Sequence, residues 1–263
     1  MKLNKLTGEK FINFKNDKMD NNIESIIDEK RQNKLEQLIA DDSLAIIWLT
    51  KTDSTNLVAK ELARKGLEGI CAANCQMKGR GRGNHTFESN EGGLYFSISY
   101  KLPCSIDKAV DFQFIAAGAI MHALGKSGKC ASLVDHADGF KGLEFSAEAK
   151  QGIVADSVEN VPSNCLCVKY PNYIYYNGKK ICGIMCEAAT CITDENPDTA
   201  KGTWFVVTGI GINISNNLSS GLDMAGSIYG LSGQKPDEAL LAADIYHELK
   251  NIYGKFLGDY NCN

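Results

Sequence analysis

Two rhythms of apolar residues run along the chain. From Asn21 to Ala40 the positions Ile23, Ile26, Ile27, Leu35, Leu38 and Ile39 recur mostly at helical spacing, after a polar stretch over residues 1–20. LAIIWLT (44–50) is a short, nearly continuous apolar run, as a buried strand requires. Asp53, Ser54 and Thr55 then offer N-caps to a helix reaching about Lys65. GICAANCQ (69–76) and the alternating GLYFSISYKL (93–102) predict two more strands. AVDFQFIAAGAIMHAL (109–124) predicts an apolar helix.

Residues 125–164, rich in Gly, Ser, Ala, Asp and Lys, have weak periodicity and read as a long excursion with a short hairpin. CLCVKY (165–170) resumes the sheet. The segment YIYYNGKKICGIMCEAAT predicts a hairpin turned by Asn177-Gly178, because both central positions of a tight two-residue turn need positive φ. TWFVVTGIGINI (203–214) predicts a buried strand, with Trp204 in the core, and 235–257 a closing amphipathic helix. No internal repeat is visible. This order predicts an α+β fold on a mixed, largely antiparallel sheet flanked by helices. The division expected is a polar tail and helix over 1–40, one catalytic domain over 41–258 carrying the 125–164 insertion, and a short tail over 259–263.

Composition narrows the function. The 263 residues are 44% hydrophobic, enough for a sizeable core, and carry a formal charge of −4 with a pI near 5.6. That balance argues against a general nucleic-acid binder, whose domain pI is usually above ~9. No apolar run approaches the ~20 residues of a membrane span, and the polar N-terminus lacks the apolar region of a secretory signal. A cytoplasmic protein with no nucleic-acid or membrane partner is expected. Ten cysteines form no C-x-x-C pair. Reduced cysteines serving as small apolar residues fit better than a zinc site.

The chemistry gathers at GRGRGNHTF (79–87). The loop lies between two predicted strands, which counts against a dinucleotide fingerprint, and it lacks the Gly-Lys-Ser/Thr ending of a triphosphate loop. Gly79, Gly81 and Gly83 permit positive φ and close backbone approach, successive N–H groups can form an anion nest, and Arg80 and Arg82 suit carboxylate or phosphate. An exposed Arg-Gly turn is the plainer alternative.

KGRGRGNHTFES followed by GGLYFSIS resembles the signature loop of the biotin protein ligases, GRGRxGRxW/F. D-S-T-N at 53–56 and Gln76 match the same family. So does GIGINI at 209–214, while KYPNYIYYNGKKICGI (169–184) resembles K-W-P-N-D-I-x-x-x-x-K-K-x-x-G-I and AGSI (225–228) resembles A-T-S-L. The resemblance implies a ligase that activates biotin with ATP to biotinyl-5′-AMP and transfers biotin to a lysine of a carboxylase's biotin-carrier domain. It implies biotin contacts from Ser54, Thr55, Asn56, Gln76, Gly79, Arg80, Gly81 and Gly183. Nucleotide contacts are implied from Arg82, His85, Phe87, Lys169, Asn172 and Asn213. Arg80, Arg82 and Lys180 would carry the catalysis. ATP with Mg²⁺ is implied; no structural metal is expected, and Asn172 is the one candidate magnesium ligand. A homodimer is compatible with the family.

Read alone, Ser54 and Thr55 serve equally as N-caps, Lys180 as a solvated hairpin lysine and Asn213 as a turn former. A lipoate or octanoate ligase or transferase of the same fold, and a non-catalytic biotin- or adenylate-binding descendant, are the alternatives. Four departures set the chain apart. Tyr173 stands where the family has Asp, and Asn84-His85 where it has Gly-Arg. The 125–164 link is longer than usual. The close at Asn263 predicts neither a terminal small β-barrel nor, with one good helix in 1–40, a winged-helix domain.

Overall fold

A computed structural model of the chain describes residues 27–81, 85–102, 112–126, 166–169, 172–192 and 202–259. The chain runs α1 (Glu29–Ile39), β1 (Ala45–Thr52), α2 (Thr55–Arg64), β2 (Gly69–Gln76), β3 (Leu94–Lys101), α3 (Phe112–Lys126) and β4 (Leu166–Lys169). It continues with β5 (Tyr173–Tyr176), β6 (Lys179–Ile192), β7 (Gly202–Ile212), α4 (Ile228–Ser232) and α5 (Glu238–Asp259). The helix described begins at Glu29, and residues 21–26 of the periodic stretch lie outside the described residues. Asp28 caps it, accepting from the Arg31 N–H at 3.1 Å, and Ile27 instead bridges to Leu49 of β1. The tails at 1–20 and 260–263, and the 125–164 excursion beyond Lys126, lie outside the described residues.

One seven-stranded sheet, in the order β1-β2-β3-β7-β6-β5-β4, organises the fold. β1 and β2 run parallel and every other neighbouring pair antiparallel. The mixed, largely antiparallel α+β architecture is therefore as the sequence predicts. Asn177 and Gly178 take φ of 49° and 70° and turn the β5–β6 hairpin as read.

Alternation along the strands gives the sheet two unlike faces. Ile46, Trp48, Ile70, Phe96, Ile98, Ile210 and Ile212 point to one side, into a single large core with Leu35 and Ile39 of α1, the apolar surface of α3, and Leu241, Ile245 and Leu249 of α5. On the other face α2 buries Val58 and Leu62 against Ile47, Leu49 and Cys71, and Ala59 and Ala63 against Phe205 and Val207. Each fully buried Val or Leu contributes roughly 1.5–3 kcal/mol, so α2 is firmly seated. Beyond the N-terminus of α2 this second face has Ser97, Gly183, Gly209 and Gly211, side chains too small to fill a layer. The bare area is where the cleft forms.

Cys71, Cys182 and Cys191 are buried thiols of this packing; burial alone pushes Cys71 far above the usual thiol range, while burial, partly offset by the Lys180 charge, takes Cys182 up to about 12. They behave as small apolar side chains. Trp204 departs from expectation. Near the start of β7, away from the core, it is 39% exposed. No helix among the described residues is long and apolar enough to cross a membrane.

Candidate active site

The cleft is open to solvent, with about 550 Å³ of empty space once its mouth is included. Its floor is β7 and β6 at Gly209, Gly211 and Gly183. Its walls are the start of α2 (Ser54, Thr55, Asn56), Gln76 at the end of β2, the 79–87 loop, and Asn172, Tyr173 and Lys180 from the β5–β6 hairpin. Residues as distant in sequence as Ser54 and Gly211 thus meet on one bare patch of sheet.

The capping reading of Ser54 holds only for its backbone. It is the N-cap residue of α2 with extended backbone, and its side chain makes no capping hydrogen bond. Thr55 is tied differently. Its N–H donates to Gln76 Oε1 at 2.9 Å, and its Oγ1 lies 2.7 Å from Ser97 Oγ. Gln76 Nε2 donates to Ser89 Oγ at 2.8 Å, and that hydroxyl donates to the Phe87 carbonyl. Gln76 is therefore held at both ends, with its amide orientation fixed.

The glycine-arginine loop is a small hairpin. Phe87 N–H donates to the Gly79 carbonyl at 2.9 Å and Gly81 N–H to the His85 carbonyl at 2.8 Å. This corrects two expectations. Neither Gly79 nor Gly81 adopts positive φ, and the Gly81 N–H is spent inside the hairpin, not offered in a nest. Gly79 is required by close approach, since a Cβ there would overlap the Phe87 carbonyl and Ser89 Oγ. Phe87 lays its ring over Gly183 and Gly211, where added Cβ atoms would meet it at 3.1 and 2.7 Å. His85 is exposed at the cleft's rim. Arg82, Gly83 and Asn84 lie outside the described residues.

Lys180 Nζ sits 3.7 Å from the centroid of the Tyr173 ring and 5.6 Å from that of Phe87. Among the described residues no carboxylate pairs with it. Burial lowers its pKa below the usual lysine value, against a small opposing pull from Cys182. Lys180 is thus a half-buried cation beside aromatic faces, with its backbone clamped by Met224 and Gly226. The solvated-lysine reading does not fit. Asn172 beside it donates from Nδ2 to the Ile184 carbonyl, while its buried Oδ1 has no hydrogen-bond partner among the described residues.

One residue escaped the sequence reading. Glu187 on β6 accepts from Asn56 Nδ2 at 2.9 Å and Lys60 Nζ at 2.5 Å, and pairs with Arg80 at 3.4 Å. Burial pushes its pKa up, but the Asn56 and Lys60 hydrogen bonds and the Lys60 and Arg80 charges outweigh it, so the net shift is downward. Arg80 is accordingly turned toward a protein carboxylate, not standing unpaired in the cleft. The only sequence signal was an acid at an inward position of an otherwise apolar strand.

Asn213 is not on the cleft wall. Just past β7, it is buried: its N–H donates to the Ile181 carbonyl, its carbonyl accepts from Ile228 at the start of α4, and its Oδ1 accepts from Asn216. Lys169 ends β4 opposite Tyr173; its side chain is outside the described set. Among the described residues no three His, Cys, Asp or Glu side chains gather into a metal site. Among the described residues, the buried side-chain oxygen on the cleft wall left without a hydrogen-bond partner is Asn172 Oδ1, too little to hold Mg²⁺ without phosphate oxygens.

The model of the biotin/lipoate A/B protein ligase family matches residues 48–194, more than half of the chain and most of the cleft. The chain belongs to that family. Among curated relatives, it is 28% identical over 201 residues to the bifunctional ligase/repressor BirA of Bacillus spizizenii, covering 74% of this chain and 49% of that one. It is 25% identical over 174 residues to biotin–protein ligase 2 of Arabidopsis thaliana (65% and 41%), and 26% over 196 residues to the biotin–[acetyl-CoA-carboxylase] ligase of Paracoccus denitrificans (72% and 65%). The chain spans about half the length of the first two.

The family fold is found in solved structures as well. A biotin protein ligase from Aquifex aeolicus in complex with biotin and ATP aligns with a TM-score of 0.53 at 22% identity, over 80% of this chain and 71% of that one. The Leishmania major enzyme in complex with biotinyl-5-AMP aligns with a TM-score of 0.55 at 22%, over 80% and 75%.

Proposed function

We propose that residues 41–258 form the catalytic domain of a biotin protein ligase. It activates biotin with ATP to biotinyl-5′-AMP, releasing pyrophosphate, and passes biotin to a lysine amine of a carboxylase's carrier domain, releasing AMP. The observation that carries this reading is the convergence of Ser54, Thr55, Gln76, Arg80, Lys180 and Gly183 on one cleft, supported by relatives named as biotin ligases.

Biotin's ureido group would face Ser54, Thr55 and Gln76, with its ring system beside the Phe87 ring that covers Gly183 and Gly211. The carboxylate would point toward Lys180, the cation it has to meet before the α-phosphate can approach. Two anions must come together in that step, and a fixed cation is the usual remedy. Asn172, Phe87 and His85 border the nucleotide's side of the cleft, with Arg82 assigned there by its place in the loop. Magnesium would come with ATP and neutralise its phosphates, with Asn172 Oδ1 the residue to hold it. Incubation with biotin, ATP and a purified biotin-carrier domain should add one biotin to one lysine, read by mass spectrometry. A carrier left unmodified while the protein makes adenylate would refute the transfer half of the reading.

With its pKa lowered by burial, ligand-free Lys180 loses its proton at a lower pH than an ordinary lysine does. A bound carboxylate favours the charged form, so binding takes up a proton above that lowered value. Biotin affinity should fall as pH rises toward the ordinary lysine value of 10.5, beginning below it, and should stay flat over that window in Lys180→Arg, which remains charged. Calorimetric titration against pH checks this; parallel profiles would remove Lys180 from the carboxylate.

Tyr173 contributes a π-face, worth about 0.5–2 kcal/mol to a cation, but no charge. Tyr173→Asp should raise biotin-dependent pyrophosphate release several-fold and lower the magnesium concentration giving half-maximal rate. Equal or lower activity at every magnesium concentration would mean that the ring is fully accommodated.

A further inference from the structure

Resting on the biotin reading, we infer that Glu187 is a positioning residue: it sets the direction of a buried hydrogen-bond relay so that Thr55 Oγ1 and Gln76 Oε1 meet the ligand as a pair of acceptors. The relay runs from β6 through α2 and β3 to β2, and its polarity follows from its ends. Glu187, a carboxylate with three donors on it, only accepts. Asn56 must therefore turn its Nδ2 toward Glu187, which leaves Oδ1 facing Ser97 Oγ at 2.6 Å. Oδ1 cannot donate, so the Ser97 proton goes there. At 2.7 Å the Ser97–Thr55 contact still needs a proton, and only Thr55 has one left to give.

Thr55 Oγ1 is also placed to donate to Gln76 Oε1 at 3.1 Å, but its one proton goes to the shorter 2.7 Å contact with Ser97, whose own proton is committed to Asn56. The Gln76 amide cannot rotate away, because the Thr55 N–H fixes its oxygen and Ser89 its nitrogen. Two oxygens with unused lone pairs thus stand side by side on the cleft wall. An N–H donor is the complementary group, and the ureido ring of biotin carries two. Ser97 is fully buried, makes no contact with the ligand in this arrangement, and acts only through Thr55.

Glu187→Gln reverses the relay without changing its shape. The oxygen of the introduced amide stays on Lys60, so its NH₂ takes the Oε2 position; Arg80, exposed and 3.4 Å from that atom, turns away, and Asn56 flips. Ser97 then accepts from Asn56 and donates to Thr55, and the Thr55 proton lands on Gln76 Oε1, closing the acceptor pair. Ser97→Ala has the same end result by a different route, since the Thr55 proton loses its acceptor on β3. Glu187→Asp keeps the charge and the wild-type direction.

The test is binding of biotin and of ureido-N-methylated biotin by calorimetry, with folding checked by circular dichroism. Wild type and Glu187→Asp should prefer biotin by roughly 10–100-fold, the loss expected when buried acceptors have no donor. Glu187→Gln and Ser97→Ala should reduce that preference about tenfold, mainly by weakening biotin. A preference due to methyl bulk alone would be the same in all four proteins and would overturn the inference. If Glu187→Gln does not fold, Ser97→Ala decides.

Neutron diffraction of the ligand-free protein reads the relay apart from biotin. The Ser97 deuteron should point at Asn56 Oδ1 and the Thr55 deuteron at Ser97; a Ser97 deuteron on Thr55 contradicts the inference. Wild-type protein that binds neither compound would sink the biotin reading, while the deuteron positions would still decide the relay.

Discussion

Lys180→Ala is expected to slow biotin-dependent adenylate formation by roughly 10²–10³-fold, the usual cost of deleting one preorganised stabilising group at a reacting centre. The melting temperature should change little, because the Lys180 backbone is held by Met224 and Gly226 and its side chain pairs with no carboxylate among the described residues. Lys180→Arg should recover only part of the rate, since a planar guanidinium cannot occupy the narrow place between the Tyr173 and Phe87 rings as a point charge does. Single-turnover rates with calorimetric biotin affinities separate the chemical step from binding. Lys180→Ala at the wild-type rate would return this residue to an ordinary hairpin lysine.

Gly209→Ala is expected to impair both stability and binding. A Cβ at 209 would overlap the Asn56 side-chain amide. Asn56 is buried and engaged at both ends, by Glu187 and Ser97, so moving it leaves Glu187 short of a donor and Ser97 short of an acceptor. Each such buried group costs about 1–3 kcal/mol, and each kcal/mol lowers the melting temperature of a domain this size by roughly 2–4 °C. Biotin affinity should fall at least tenfold, because Thr55 loses its orientation along with Asn56. Gly221→Ala is the control, as nothing lies within 4 Å of its added Cβ. Thermal melts and biotin titrations of the two variants give the answer; matching results for both would show that the floor of the cleft tolerates a methyl group.

What could be read from the sequence, and what could not, divides by the range of the interactions. The β5–β6 hairpin was legible because Asn177 and Gly178 carry their own turn geometry. β1, β2 and β3 were legible because their apolar runs match strand lengths. Gly183, Gly209 and Gly211 were marked by motif resemblance, but their common purpose is a property of the sheet: they lie side by side only after β6 and β7 pair. Glu187 could not be read, since its partners Asn56, Lys60 and Arg80 are 131, 127 and 107 residues away. Asn213 could not be placed relative to the cleft from sequence for a related reason. A polar residue at a strand end suits a ligand or a neighbouring segment equally, and here α4 uses it. Trp204 was placed in the core by its residue type alone, whereas the β7 start where it lies is exposed. In the 79–87 loop the glycine pattern suggested positive φ and a nest; the described part closes instead as a hairpin whose N–H groups bond across it.

On the proposed function, this cleft joins biotin to AMP. ATP–pyrophosphate exchange with the purified protein, given biotin, lipoate or octanoate in turn, tests it most directly. Exchange should require biotin, find no support from the other two acids, and fall by about two orders of magnitude or more in Lys180→Ala. Exchange driven by lipoate or octanoate in place of biotin, or no exchange with any acid from a protein that still binds biotin, would contradict it.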